Sequence, residues 1–147
     1  MQSLPNPPSF NLEIFNVISI NFTVNLNFKQ TGKPVDINTE IALDSIFNKK
    51  KKELLLKMGL RQTNDNGPFT FQVVGTGLFK FDKNPDKESL ERLSTINCPA
   101  IMFPYMREVV ADLTRRSGYP PLHIAPINFV AMAEELKARK ETKKKSA

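Results

Sequence analysis

The strongest constraint on this chain is a stretch in which apolar and polar residues alternate one by one. Its apolar members are Ile18, Ile20, Phe22, Val24, Leu26 and Phe28. Residues two apart share one face of a β-strand but lie on different sides of a helix. The intervening residues are serine, threonine and asparagine, so the opposite face of this strand is polar. The pattern therefore predicts a sheet that needs a second layer on one side only.

The same alternation recurs in three later segments. Apolar positions line one face at residues 37–47, 54–60 and 69–81, and each segment has the length of an ordinary strand. The breaks between the four segments are rich in lysine, asparagine and glycine: residues 29–34, 49–52 and 64–67. Gly75 and Gly77 interrupt the fourth segment, which indicates a bulge or a close approach of another backbone.

After the fourth segment the spacing of apolar residues becomes helical. Asn84 is expected to cap a short helix that begins at Pro85. A longer helix is predicted to run through Ile101 and Leu113 and to end near Ser117, with Gly118 as its C-terminal cap. A final amphipathic helix follows a cap at Asn128. Strands followed by helices predict an α+β fold, in which a four-stranded antiparallel sheet precedes a long helix and a short C-terminal helix packed on one face.

Composition excludes several classes of protein. The chain has 147 residues with 40% hydrophobic content, enough for one core. Cys98 and His123 are its only cysteine and histidine, so neither a disulfide framework nor a usual zinc set is available. We therefore predict no metal and no cofactor. We also predict no enzymatic activity, because the apolar run around Cys98 disfavours a nucleophile and base pair of Cys98 with His123. No apolar run approaches 18 residues, which predicts a cytoplasmic protein without membrane insertion.

The positive charge is concentrated at the end of the chain. The formal net charge is +6, from 21 basic and 15 acidic residues. Residues 137–147 hold six of the basic residues and one acidic residue, so we assign 1–9 to an N-terminal arm, 10–136 to the domain and 137–147 to a basic tail. A nucleic-acid-binding protein that uses residues 49–52 and the tail is an alternative. The aromatic residues are not interleaved with these lysines, which disfavours base stacking.

Residues 97–129 carry a family resemblance. The run NCPAIMFPYMRE at 97–108 is followed by VVADL, by GYPPL from Gly118, and by APINF at 125–129. These motifs, about 35 residues in order, closely resemble the bacterial export chaperone SecB. The segment at 19–23 resembles the family more weakly.

The resemblance implies a function and an assembly. It implies an ATP-independent holdase that binds unfolded or precursor polypeptides for protein export, and a homotetramer built as a dimer of dimers. Carried over from the family, the groove that binds clients is expected to use Val24, Leu26, Phe28, Val35, Ile37, Leu122, Ile124, Phe129, Met132 and Leu136. The tetramer interface is expected on the long helix, at Ile101, Tyr105, Val109 and Leu113.

One departure from the family concerns its partner. SecB proteins have two acidic residues that help to dock the SecA motor, and this chain has Ser19 and Thr23 at those positions. Binding to SecA is therefore doubtful, because a basic partner loses its complementary charges. The alternative implied by the resemblance is a SecB-like chaperone dedicated to an antitoxin or to another client that does not use SecA.

Overall fold

A computed structural model describes residues 8–145 of the chain. It contains four strands followed by helices, which confirms the α+β fold with an antiparallel sheet. The strands are β1 (Phe10–Val24), β2 (Glu40–Asn48), β3 (Glu53–Gln62) and β4 (Phe69–Phe81). The helices are α1 (Lys87–Arg92), a π-helical turn (Leu93–Asn97), α2 (Cys98–Arg116) and α3 (Phe129–Lys145).

The sheet has the strand order β1-β4-β3-β2, and every neighbouring pair is antiparallel. The two edges are therefore β1 and β2. The predicted limits of the first strand are wrong, because β1 begins at Phe10 and ends at Val24. Register shifts between Leu12 and Ile14 and between Val17 and Ser19 add extra residues to β1, and these bulges hide the alternation before Ile18.

One face of the sheet is buried under α2. Alternate residues of β3 and β4 are shielded from solvent, and they pack against Met102, Met106 and Val110 of the helix. The buried hydrophobic residues of these two strands are Leu54, Leu56, Met58, Leu60, Phe69, Phe71, Val73, Phe79 and Phe81. This single apolar layer is the core, and it agrees with the one-sided patterning of the strands.

The two glycines of β4 allow α2 to lie close to the sheet. A Cβ atom added at Gly75 would lie 2.5 Å from the Met106 sulfur, and one at Gly77 would lie 3.1 Å from the Met102 sulfur. The nearest atoms at both glycines therefore belong to methionine side chains of α2, whereas we expected a bulge or the backbone of another segment. The bulges are in the neighbouring strand β1, which pairs with β4 at these two glycines.

The helix caps differ in one place from the prediction. Asn84 is not the cap of α1, because the Asp86 carboxylate accepts a hydrogen bond of 2.7 Å from the Ser89 backbone N–H. That hydrogen bond lowers the pKa of Asp86. The predicted cap of the last helix is confirmed, since the Asn128 side-chain oxygen accepts from the Ala131 N–H at 3.0 Å.

The basic end of the chain is helical where it is described. Residues 137–145 continue α3 without a break, whereas we predicted a separate tail from residue 137. The predicted arm at 1–9 falls mostly outside the part that the structure describes, and of that arm Ser9 is held by a 2.8 Å hydrogen bond from its N–H to Asp82. Within residues 8–145, no helix is both long and apolar enough to cross a membrane.

Replacing Gly75 with alanine tests the packing of α2 on β4. Because the new methyl group would overlap the buried Met106 side chain, we expect Gly75→Ala to lower the free energy of unfolding by about 1 to 3 kcal/mol. Urea unfolding followed by circular dichroism measures this. Gly59→Ala is the control, since the nearest atom to its added Cβ is 3.9 Å away. Equal stability of the two variants would contradict the packing argument.

Candidate functional site

A groove of 640 Å³ opens where the connection between β1 and β2 passes the loop that follows α2. We call it the crossover groove. Its apolar lining comes from Phe28, Pro34, Val35, Pro68, Tyr119 and Pro120, and the rest of its wall is formed by residues 30–33. Three segments that are distant in sequence therefore build the groove.

Asn25 holds the start of the connection in place. Its backbone N–H donates to the Pro68 carbonyl at 2.9 Å, and its side-chain amide donates to the carbonyls of Asp65 and Gly67 at 3.1 and 3.0 Å. These bonds attach the chain to the β3–β4 turn directly after β1. Leu26 and Phe28 consequently leave the plane of the sheet, and Phe28 reaches the groove.

The end of α2 places Tyr119 on the opposite wall. Gly118 has a φ of +89°, and the Tyr119 N–H donates to the Thr114 carbonyl at 3.2 Å while the Gly118 N–H donates to the Arg115 carbonyl at 3.1 Å. This is the Schellman ending expected of a helix followed by glycine. The Tyr119 ring packs against Phe69 with a centroid separation of 5.6 Å, so the wall is attached to the core.

The loop after α2 is also held by a buried hydroxyl. Thr114 Oγ donates to the Ala111 carbonyl at 3.0 Å and accepts from the Leu122 N–H at 2.8 Å. A buried hydroxyl with both a donor and an acceptor role satisfied carries no desolvation penalty. The loop therefore follows a defined path beside the groove.

The predicted groove residues separate into three groups. Phe28 and Val35 line the crossover groove, and Leu26 is 91% exposed beside it on the same connection. Leu136 lines a different groove, described below. The remaining residues are half-buried at the end of β1, buried in the core or packed against it: Val24, Ile37, Leu122, Ile124, Phe129 and Met132.

A second groove of 290 Å³ lies between α1 and α3. Ile96, Val130 and Leu136 supply its apolar floor. Glu88 and Glu91 line it on the α1 side, and basic residues of α3 line the other. It shares no residue with the crossover groove, so the predicted set of residues does not form one continuous site.

The long helix and the edge strand share an exposed apolar surface. Of the predicted interface residues, Ile101 and Tyr105 are exposed, whereas Val109 and Leu113 pack against the core. The Tyr105 ring lies 5.4 Å from the Phe15 ring of β1. We use the name edge surface for the exposed apolar residues of both elements: Val17, Ile18, Ile20, Ile101 and Tyr105. Sequence patterning missed the contribution of β1.

The uncovered face of the sheet carries balanced charge. Ser19 and Thr23 lie in β1 on this face, paired with Val74 and Thr70 of β4. Two of the acidic residues on this face are paired with basic ones, through Arg61–Glu40 at 2.7 Å and Lys80–Glu53 at 3.8 Å. The charged residues of this face are three basic and three acidic: Lys57, Arg61, Lys80, Glu40, Asp44 and Glu53.

Cys98 and His123 do not form a reactive pair. Cys98 is fully buried and His123 is exposed, so no substrate could reach the sulfur without movement of the core. Burial raises the pKa of the Cys98 thiol to about 12, which keeps it protonated at neutral pH. Among residues 8–145, no group of histidine, cysteine, aspartate or glutamate side chains has the arrangement of a metal site.

Comparison with known proteins identifies the family. The family model described as "Preprotein translocase subunit SecB" matches residues 13–140. The chain belongs to the SecB family. The resemblance seen at residues 97–129 is therefore confirmed, and the match extends from within β1, through β2, β3, β4 and α2, into α3. This protein is a molecular chaperone of a family named for protein export, which is not a class of enzymes.

Individual relatives agree with this assignment. The chain is 34% identical over 119 residues to a protein-export protein SecB of Acidithiobacillus ferrooxidans, covering 79% of each chain. It is 27% identical over 145 residues to the SecB of Burkholderia lata, covering 92% of this chain and 86% of the relative.

Solved structures share the fold. The Rv1957 SecB-like chaperone of Mycobacterium tuberculosis, in complex with a ChAD peptide from the Rv1956 HigA1 antitoxin, has a TM-score of 0.68 at 17% identity. The match covers 80% of this chain and 90% of that one. A Streptococcus agalactiae protein of unknown function has a TM-score of 0.52 at 13% identity, with 82% and 99% coverage.

Sequence reasoning missed the far wall of the crossover groove. Tyr119 and Pro120 fall within the GYPPL motif, and Pro68 follows a polar turn. The signal in the sequence that could have indicated this wall was Gly118. A glycine that follows a helix reverses the chain direction, so that the next residue packs against the last turn of the helix. Which wall that residue would meet depends on the position of the β1–β2 connection, and local sequence does not encode it.

The Cys98 environment makes a chemical prediction. Because the thiol is buried and protonated, we expect Ellman's reagent to modify less than a tenth of the protein in its native state on the time scale of an exposed thiol. In guanidinium chloride the same reagent is expected to modify Cys98 completely. Rapid modification of the native protein would contradict the buried position of the sulfur.

Proposed function

We propose that this SecB-family chaperone holds unfolded polypeptides through the crossover groove. The observation that supports this is the apolar wall of aromatic, proline and valine side chains, which is held open by the anchored connection at Asn25 and the helix ending at Gly118. An apolar groove left open to water binds any chain with unburied side chains, because both lose apolar surface to solvent.

Binding in this groove would be of low selectivity and would not need ATP. Each large client side chain that the groove buries makes the free energy of binding more favourable by about 1.5 to 3 kcal/mol. Among the described residues, 8–145, Lys33 is the one charged residue in its lining, so there is little charge with which to select a client sequence. We place this activity in the cytoplasm, where precursors are held before export.

A dedicated client is the second candidate function. The SecB-like relative from Mycobacterium tuberculosis binds a peptide from an antitoxin, and this chain shares its fold. The balanced charge of the uncovered sheet face, with Ser19 and Thr23 in place of acidic residues, favours a role that does not use SecA. A pulldown from native cytosol distinguishes the two functions, since a general chaperone recovers many precursors and a dedicated one recovers a single antitoxin.

We further propose that the edge surface joins copies of the chain into a homotetramer. β1 is a long strand with one unpaired edge, and such edges are normally covered in native proteins. Val17, Ile18 and Ile20 of β1 are exposed, as are Ile101 and Tyr105 of α2. The two elements meet where the Phe15 ring of β1 contacts the Tyr105 ring. A second copy that pairs along β1 and packs on α2 would cover both elements.

Substitutions in the connection between β1 and β2 test the role of the crossover groove. Phe28→Ala removes a ring that lines the groove, and we expect it to weaken binding of an unfolded model polypeptide by about tenfold or more. Fluorescence anisotropy with a labelled, permanently unfolded protein measures this. Leu26→Ala is the matched control, because Leu26 is exposed two residues away and does not line the groove.

Suppression of aggregation provides the second measurement for this site. Stoichiometric wild-type protein is expected to reduce light scattering by a denatured model protein, and Phe28→Ala is expected to do so less. No suppression by the wild type would reject the holdase function. An equal loss in Phe28→Ala and Leu26→Ala would reject the groove as the binding site.

Adding charge to β1, an edge strand of the sheet, tests the proposed tetramer. We expect light scattering to give the wild type four times the mass of one chain, and the double variant Ile18→Lys with Ile20→Lys a lower mass, because lysines on an edge strand oppose pairing. Ile46→Lys is the control, since Ile46 is 70% exposed on the other edge strand. A monomeric wild type at micromolar concentration would contradict the proposal.

A further inference from the structure

The C-terminal half of α3 is a strongly basic helical segment that the proposed function does not use. Residues 137–145 carry six basic side chains and one acidic side chain, and all of them are exposed. The buried anchor of α3 is Phe129 in its first turn. Lys137 and Lys140 line the groove between α1 and α3 opposite Glu88 and Glu91, whereas the three lysines of the last turn lie beyond the lining of that groove and are exposed to solvent.

Most of this charge belongs to lysine side chains near the C-terminal end of α3. Lys143, Lys144 and Lys145 occupy its last turn, where positive charge is favourable next to the unsatisfied carbonyl groups. Arg139 is paired with Glu135 at 2.8 Å within the helix. The cations presented at the helix end are flexible point charges, which bind dispersed negative charge better than they recognise one fixed geometry.

We propose that this basic helix end binds the surface of anionic phospholipid bilayers. Clusters of four to eight lysine and arginine residues on a helix are attracted to the negative potential of such surfaces, and this segment has six within nine residues. The complementary group is the phosphate of an anionic headgroup. The binding would bring the chaperone to a membrane and is independent of client binding.

The residues of the segment favour a lipid surface over nucleic acid. Phe129 is the one aromatic residue within the described α3, and it is buried, so no ring is presented for stacking with bases. The segment 137–145 contains one guanidinium group, that of Arg139, and this group is paired with Glu135. Guanidinium groups are the ones that proteins use most to bind the edges of guanine bases.

The same residues imply adsorption without insertion. Ala138 is the only apolar residue between 137 and 145, so the segment has no apolar face to enter the acyl chains. Attraction between exposed charges is screened by salt. The binding is therefore expected to weaken steeply as ionic strength rises, and in a tetramer four such ends would act together.

Vesicle sedimentation with the full-length chain tests the proposal. We expect the wild type to bind vesicles of mixed phosphatidylcholine and phosphatidylglycerol at low salt, and not vesicles of phosphatidylcholine alone. The test variant changes Lys143, Lys144 and Lys145 to glutamine, which keeps the helical preference. About a fivefold loss for each lysine gives an expected loss of roughly 100-fold in partitioning.

The matched control changes Lys49, Lys50 and Lys51 to glutamine in the turn between β2 and β3. It removes the same net charge from another exposed run, so a smaller loss than in the α3 variant supports a site on the helix end. Equal losses would overturn the proposal, because only net charge would then matter. No sedimentation of the wild type with anionic vesicles would overturn it as well.

Two further readouts separate this proposal from its competitors. Tighter binding to a single-stranded RNA than to anionic vesicles, compared at equal phosphate concentration, would overturn the lipid proposal in favour of nucleic acid. Suppression of aggregation is expected to be unchanged in the α3 variant, and its loss there would mean that the lysines serve client binding instead. Failure of the wild type to suppress aggregation would reject the holdase function and leave the vesicle result standing.

Discussion

The contact between one face of the sheet and α2 is the interaction on which the rest of the structure depends. The inward-facing residues of β3 and β4 pack against α2, which shields them from solvent. The helix can lie close to the sheet because Gly75 and Gly77 leave room for Met106 and Met102. Methionine fills the irregular space above a glycine well, because its side chain is unbranched and adaptable. The position of α2 then determines where its last turn meets the sheet.

The crossover groove is a consequence of that position. α2 ends at Arg116, and the left-handed conformation of Gly118 turns the chain so that Tyr119 packs on Phe69 and faces the β1–β2 connection. On the other side, the side-chain amide of Asn25 binds the turn before β4. The groove is therefore built by two short polar and turn elements that are attached to the core.

Much of the fold was predictable because its signals are local. The limits of β4 were anticipated closely, since turn residues stand at its start and the helical spacing begins after its end. The cap at Asn128 and the glycine after α2 were predicted for the same reason. The start of β1 was not, because its two bulges shift the side chains between faces and destroy the period that reveals a strand. Its end was not either, because the alternation of apolar residues continues through Leu26 and Phe28 after the strand has ended at Val24. Asp86 replaced Asn84 as a cap because its backbone is extended and its carboxylate reaches Ser89.

The class of fold, the family and the place of the basic run at residues 137–145 are contained in the order of the residues, because alternation, short motifs and charge runs are properties of neighbouring positions. Which apolar side chains remain open to water depends instead on the packing of the folded chain. Ile124 and Phe129 have the same apolar character as Phe28 and Val35, yet the first two are buried in the core and the second two line the groove. The physical reason is that exposure depends on which segments pack against each other across long distances in sequence, and no local pattern contains that information.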